Sequence, residues 1–156
     1  MNNQVLSTPK EGLKQTQVLH LALILGPILM STMLWFAIGT NDEFSEPTIF
    51  PKVFPIVLGS IFAAAFYIYK IRVSQRGEIV DLLTKVEHYR STSILRWAML
   101  EGGALISMLF YFFMENNFVF LILFAIALIG LAYSRPSKNQ FAEDYNLSNQ
   151  EISELN

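Results

Sequence analysis

Four apolar stretches decide what this sequence can fold into: residues 18–38, 53–69, 95–114 and 118–133. A helix needs roughly 17–25 apolar residues to cross a bilayer, so each stretch is long enough, or nearly so, to cross once. The composition agrees, because 53% of the 156 residues are hydrophobic, more than a soluble domain of this size needs. The sequence therefore predicts an all-α integral membrane protein with four transmembrane helices.

The distribution of basic residues predicts the orientation of these helices. Ten of the eleven Lys and Arg residues lie before the first stretch, around the middle connection or after the fourth stretch, and only Lys52 lies elsewhere. The two other connections carry Asp42, Glu43, Glu46 and Glu115. Because Lys and Arg accumulate in cytoplasmic connections, we expect a multi-pass membrane protein with both termini cytoplasmic.

Residues 14–31 align without gaps with residues 90–107, at a constant offset of 76 residues. Chance similarity between two apolar helices is the alternative, but Thr16 and Thr92 match outside the apolar parts and argue against it. The alignment predicts two tandem helical hairpins, related as parallel repeats. The expected division is a cytoplasmic N-terminus (1–17), a first hairpin (18–71), a cytoplasmic amphipathic loop (72–93), a second hairpin (94–134) and an acidic cytoplasmic tail (135–156).

The middle loop and the tail carry local helix signals. Apolar residues of the loop recur at helical spacing, at Ile79, Leu82, Leu83 and Val86. Such a helix can lie on the inner leaflet, pack on a partner or simply connect two spans. In the tail, Ser148 precedes Glu151 by three residues, which predicts a capping box at the start of a short helix.

Glu101 is the one ionisable residue well inside an apolar stretch, about 9 Å beyond Leu95 along a helix. An acidic residue near a helix centre costs on the order of 2.5–3.5 kcal/mol on insertion scales, so we expect this carboxyl to be protonated, paired or near water. Two roles stay open: carrying a proton or cation, and a structural hydrogen bond or contact with the interface. Arg96 and His20 occupy equivalent positions in the aligned segments, and each is a candidate partner of Glu101 or of a phosphate headgroup.

Several classes of site are not predicted by the sequence. The absence of cysteine excludes disulfides, thiolate metal sites and cysteine nucleophiles. We find no phosphate-binding loop, dinucleotide glycine pattern, nucleophile–histidine–acid arrangement or metal-ligand spacing, so no catalytic, cofactor-binding or metal-binding residues are expected. Basic residues follow the membrane boundaries, which predicts no nucleic-acid partner. The expected partners are the lipid bilayer and a membrane protein or a second copy of the chain.

Two short segments resemble subunits of known membrane complexes. The sequence AMLEGGAL at 98–105 resembles the carboxylate-bearing helix of rotary ATPase proteolipid subunits, which implies an ion-binding role for Glu101. The sequence FPIVLG at 54–59, together with the chain length and the cytoplasmic middle loop, resembles the small four-span subunit of tripartite tricarboxylate transporters. That second resemblance implies a small membrane subunit of a secondary transporter.

A longer resemblance covers residues 92–147. With ILRWAMLEG at 94–102 and RPSK at 135–138, this part is similar to uncharacterised small four-span membrane proteins of Bacteroidota-type bacteria, a family without an assigned activity. This resemblance implies a location in the bacterial inner membrane. The small size, the small residues that allow close helix packing, the amphipathic loop and the absence of a catalytic motif favour a structural or accessory subunit of a membrane complex. Ion translocation or coupling through Glu101 is the alternative, and a membrane enzyme is the least favoured.

Overall fold

The computed structural model describes residues 8–38, 50–113 and 118–155, and these residues form helices without any strand. The all-α prediction is therefore confirmed for this part of the chain. The elements are α1 (Pro9–Ile38), α2 (Phe50–Ser74), a 3-10 turn (Gln75–Glu78), α3 (Leu82–Phe113), α4 (Phe118–Tyr133), α5 (Lys138–Tyr145) and α6 (Asn149–Glu154). The acidic residues predicted in the two outer connections lie outside the described residues.

Three of the described helices, α1, α2 and α3, are long and apolar enough to cross a membrane. The 16 residues of α4 extend for about 24 Å, a little less than the roughly 30 Å of a hydrocarbon core. With α5 included, α4 makes a fourth candidate span, although the two helices are bent by 80° at their junction. The chain is thus suited to a membrane, and four crossings stay a prediction.

The helix α3 lies at the centre of the bundle, with α1, α2 and α4 packed on it. It runs antiparallel to α4, because Phe110 contacts Phe120 with ring centroids 5.4 Å apart, while Trp97 donates from Nε1 to the Ser134 carbonyl at 3.1 Å. The core between these helices contains fully buried large side chains: Leu58, Trp97, Leu100, Phe120 and Leu131. Close packing around α3 therefore holds the bundle together.

The helices α1 and α3 are parallel neighbours. Arg90 NH1 donates to Gln15 Oε1 at 3.2 Å near their first turns, and Trp35 and Phe112 contact near their last turns with centroids 6.1 Å apart. These contacts join positions 75 and 77 residues apart, close to the offset of 76 residues in the sequence alignment. Equivalent positions of the two similar segments therefore lie side by side, while a duplication origin of the similarity stays a prediction.

The first two helices do not form the packed hairpin that the sequence suggests. The helix α2 runs antiparallel to α3, with Phe54 against Phe110 at 4.0 Å between centroids, and it makes little direct contact with α1. A connection as long as the one after residue 38 does not force its two helices to be neighbours. Among the described residues, α3 thus separates α1 from α2.

The amphipathic segment of the middle loop begins α3, and this helix continues without a break to Phe113. Its apolar side is covered by the chain's own tail. The residues buried together from both parts are Leu82, Val86, Tyr89, Phe141, Tyr145 and Leu155. Because α1 and α3 begin where α2 and α4 end, all these groups lie at one end of the bundle, which we call the tail end.

Candidate functional site

The carboxylate of Glu101 lies between α3 and α1. A Cβ atom added to Gly26 would be 2.9 Å from Oε1 of Glu101, so the missing side chain at Gly26 makes room for the carboxylate. One turn earlier on α1, the carbonyl of Leu23 lacks its usual helical donor because Pro27 has no N–H. The half-buried Glu101 therefore lies beside the part of α1 where this backbone carbonyl has no helical hydrogen-bond donor.

His20 and Arg96, the predicted partners of Glu101, bind elsewhere. His20 Nε2 lies 2.8 Å from the carbonyl oxygen of Leu131, and Arg96 NH2 donates to the carbonyl of Ser134 at 3.2 Å. Within residues 8–38, 50–113 and 118–155, neither side chain forms an ion pair with Glu101. The structure therefore does not bring the three predicted site residues together.

Both side chains stabilise the C-terminal end of α4. The last carbonyls of a helix lack internal donors, and cations are favourable near that end of the helix dipole. Because a carbonyl only accepts, Nε2 of His20 carries the hydrogen in its bond to Leu131. Trp97 is a second donor to the Ser134 carbonyl, beside Arg96, and it packs on the His20 ring at 4.7 Å between centroids. His20 and Arg96, which hold equivalent positions in the aligned segments, thus both bind the C-terminal end of α4. The sequence alignment did not reveal this role.

A polar and aromatic cluster, which sequence reasoning missed, joins the tail to the tail end of the bundle. The guanidinium of Arg96 lies 3.7 Å above the Tyr69 ring centroid, and the Tyr69 hydroxyl donates to Oδ2 of Asp144 at 2.6 Å. Arg76 donates to the backbone carbonyl of Asp144. The only sequence signal for this cluster is the position of aromatic residues in an otherwise polar tail.

Further along the tail, two contacts bind α5 and α6 to the start of α3. His88 Nδ1 lies 2.5 Å from the hydroxyl of Tyr145, whose pKa is raised by burial, so the phenol stays protonated. Lys85 Nζ is 2.6 Å from Oε1 of Glu151. The predicted capping box is confirmed, because Ser148 and Glu151 satisfy each other's backbone N–H groups. The tail is therefore a docked part of the fold.

We expect Glu151→Gln to weaken the docking of α6 in a pH-dependent way. The hydrogen bond from Lys85 holds the pKa of Glu151 below its ordinary value of 4.5, so this stabilisation is present above pH 4.5 and is lost as pH falls below it. The substitution should lower the free energy of unfolding by up to about 1 kcal/mol at pH 7. Thermal unfolding in mild detergent, measured between pH 7 and pH 3, tests this.

The control for this prediction is Glu154→Gln, which removes an exposed carboxylate from the same helix. It should unfold like the unsubstituted protein at every pH. An equal effect of both substitutions, or a Glu151→Gln difference that persists at pH 3, would contradict the assigned role of the Lys85 ion pair.

Among the described residues, no group of three His, Cys, Asp or Glu side chains is placed to hold a metal ion. Comparison with known proteins gives no match, whether to a protein-family model, to a curated protein or to a solved structure.

Proposed function

We propose that this chain is a structural or accessory subunit of a complex in a bacterial inner membrane, and that a partner helix packs on the open side of α3. The helices α1, α4 and α2 cover the other sides of α3. On the open side, Leu95, Ala98 and Ile106 are exposed, and a Cβ added to Gly102 would meet nothing within 4 Å. This open, apolar side of the central helix is the observation that carries the proposal.

Small residues on this side favour a helix as the occupant. Ala98 and Gly102 lie one turn apart on α3, and Ala22 and Gly26 hold the matching positions on the parallel helix α1. Small residues at this spacing allow the backbones of two membrane helices to approach closely. The chain itself covers little of α1, because only 11% of its most apolar 18 residues are buried, against 44% in α3. A partner on the open side of α3 would lie beside this exposed helix as well.

Site-specific photocrosslinking in the membrane tests the partner. A benzophenone side chain introduced at Ile106, on the open side, should give one discrete protein adduct, which is a partner or a second copy. The same group at Ile56, which is 71% exposed on α2, is the matched control and should give none. If Ile106 gave no protein adduct and the detergent-extracted chain were a monomer, the proposal would be wrong.

A secondary transporter is the kind of complex that the resemblance at residues 54–59 favours. This segment forms the beginning of α2, and Phe54 and Leu58 within it pack towards the core of the bundle. The basic residues of the tail end support an orientation in which this end is cytoplasmic. The sequence carries no catalytic motif, so we propose no enzymatic role.

Ion coupling through Glu101 is the second candidate function, favoured by the contact of this carboxylate with Gly26. The described part of the chain offers it no ion-pair partner, and it lies at the edge of the open side of α3. A carboxyl at such a place can exchange a proton or bind a cation when a partner encloses it. This function would therefore depend on the complex.

For the second candidate, we expect Glu101 to react with an apolar carbodiimide in membranes, because such reagents attack protonated carboxyls. Labelling should fall as pH rises, and Na⁺ should protect the residue if it binds the cation. Glu101→Gln should abolish labelling, whereas Glu87→Gln, at an exposed position earlier on α3, should leave it unchanged. Labelling of Glu101 that depends on neither pH nor Na⁺ would exclude the ion-coupling function.

A further inference from the structure

A groove of about 630 Å³ lies between α1 and α4 at the tail end, where these two helices make few contacts. On α1 its lining runs from Lys14 to Ile24, a distance of about 15 Å along the helix. Arg135, just after α4, lines the opposite side. The groove is thus elongated along α1, with cationic side chains at the end nearer the tail.

The charged side chains that line this groove are both cations. Lys14 and Arg135 are exposed, and neither forms an ion pair with another described residue. No carboxylate lines this groove, whereas Asp144 lines the groove beside Lys70. Lys14 also lines the groove of about 650 Å³ on the other side of α1, together with Glu11 and Arg90. Arg135 lines neither of those two other grooves.

Deeper along α1, the lining becomes apolar at Val18, Leu21 and Ile24. Two hydrogen bonds hold the groove's walls together, from Gln17 Nε2 to the Pro136 carbonyl at 3.3 Å and from His20 Nε2 to the Leu131 carbonyl at 2.8 Å. A fixed site with cations at the membrane surface and apolar side chains below matches a phosphate headgroup and an acyl chain. We infer that this groove binds one anionic phospholipid.

Native mass spectrometry of the full chain in mild detergent tests the inference with phosphatidylglycerol as the probe. The first phosphatidylglycerol should bind about tenfold or more tightly than phosphatidylcholine with the same acyl chains. Lys14→Gln with Arg135→Gln should remove this preference. Lys70→Gln removes an exposed cation at the same end of the bundle and should leave the affinity within about twofold.

A second variant tests the apolar part of the groove. Leu21→Trp keeps both cations but places an indole where the acyl chain would lie, so the affinity for phosphatidylglycerol should fall. Glycerol phosphate, which has the headgroup charge without acyl chains, should not displace the lipid. The inference is overturned if Leu21→Trp binds normally, if Lys70→Gln weakens binding as much as the double substitution, or if glycerol phosphate competes equally.

Discussion

Replacing Phe141 by alanine is expected to release the tail from the bundle and to make it sensitive to protease. Phe141 is completely buried, with its ring 4.9 Å from that of Tyr89 and 5.1 Å from that of Tyr145. Truncating such a phenylalanine costs about 3–5 kcal/mol, because the ring's contacts are lost and a cavity remains. A local cost of about 3 kcal/mol raises the population of the undocked tail about a hundredfold, and limited proteolysis follows that population.

Trypsin cleavage near the start of the tail, followed by mass spectrometry in mild detergent, measures this release. The control is Phe36→Ala, the same chemical change at a side chain that is 85% exposed on α1. It should leave the cleavage rate unchanged. Equal cleavage rates in the Phe141→Ala protein and the unsubstituted chain would show that the tail is held by its polar contacts alone.

The apolar pattern predicted the helices better than it predicted their ends. The helix α4 begins at Phe118 and ends at Tyr133, the bounds of the fourth apolar stretch. The helices α1 and α3 begin nine and thirteen residues before their apolar stretches, at Pro9 and Leu82. Hydropathy measures the length suited to a bilayer, but polar turns continue a helix when they are packed, as the beginning of α3 is packed on the tail.

Which helices are neighbours could not be predicted from the sequence. Membrane helices that are apolar all round carry no strong stripe to mark their packed side, and the long connection between α1 and α2 does not determine whether they touch. The large side chains of Phe54 and Phe62 pack α2 onto α3, so α3 and not α1 is its main neighbour.

At the candidate site, the sequence indicated which residues would need partners but not which contacts they make. The sequence singled out Glu101, Arg96 and His20 because charged groups near a bilayer need partners. Their actual partners depend on where the end of α4 lies, since the carbonyls of Leu131 and Ser134 at that end accept hydrogen bonds from His20 and Arg96. Arg96 is also almost completely buried, although its place at the start of an apolar stretch suggested the membrane surface. Tertiary contacts therefore gave these two side chains partners that the sequence did not indicate.

Substitution by alanine should change the stability of the protein in opposite directions at the adjacent residues Gly102 and Gly103. A Cβ added to Gly103 would overlap Cε1 of Phe62 and lie 3.0 Å from its Cζ. Because the Phe62 ring is itself buried between α2 and α3, it has little room to move, and overpacking of this kind costs about 1–3 kcal/mol. Gly103→Ala should therefore destabilise the bundle by separating α2 from α3.

Gly102→Ala is the matched control, since its Cβ would meet nothing within 4 Å and alanine favours a helix over glycine by roughly 0.5–1 kcal/mol. Unfolding in mild detergent, followed by circular dichroism, should give a lower midpoint for Gly103→Ala and an equal or higher one for Gly102→Ala. If Gly103→Ala were as stable as Gly102→Ala, the close contact of α2 with α3 at Phe62 would be wrong. If Gly102→Ala alone were destabilised, the open side of α3, on which the proposed partner helix packs, would instead be closed by the chain itself.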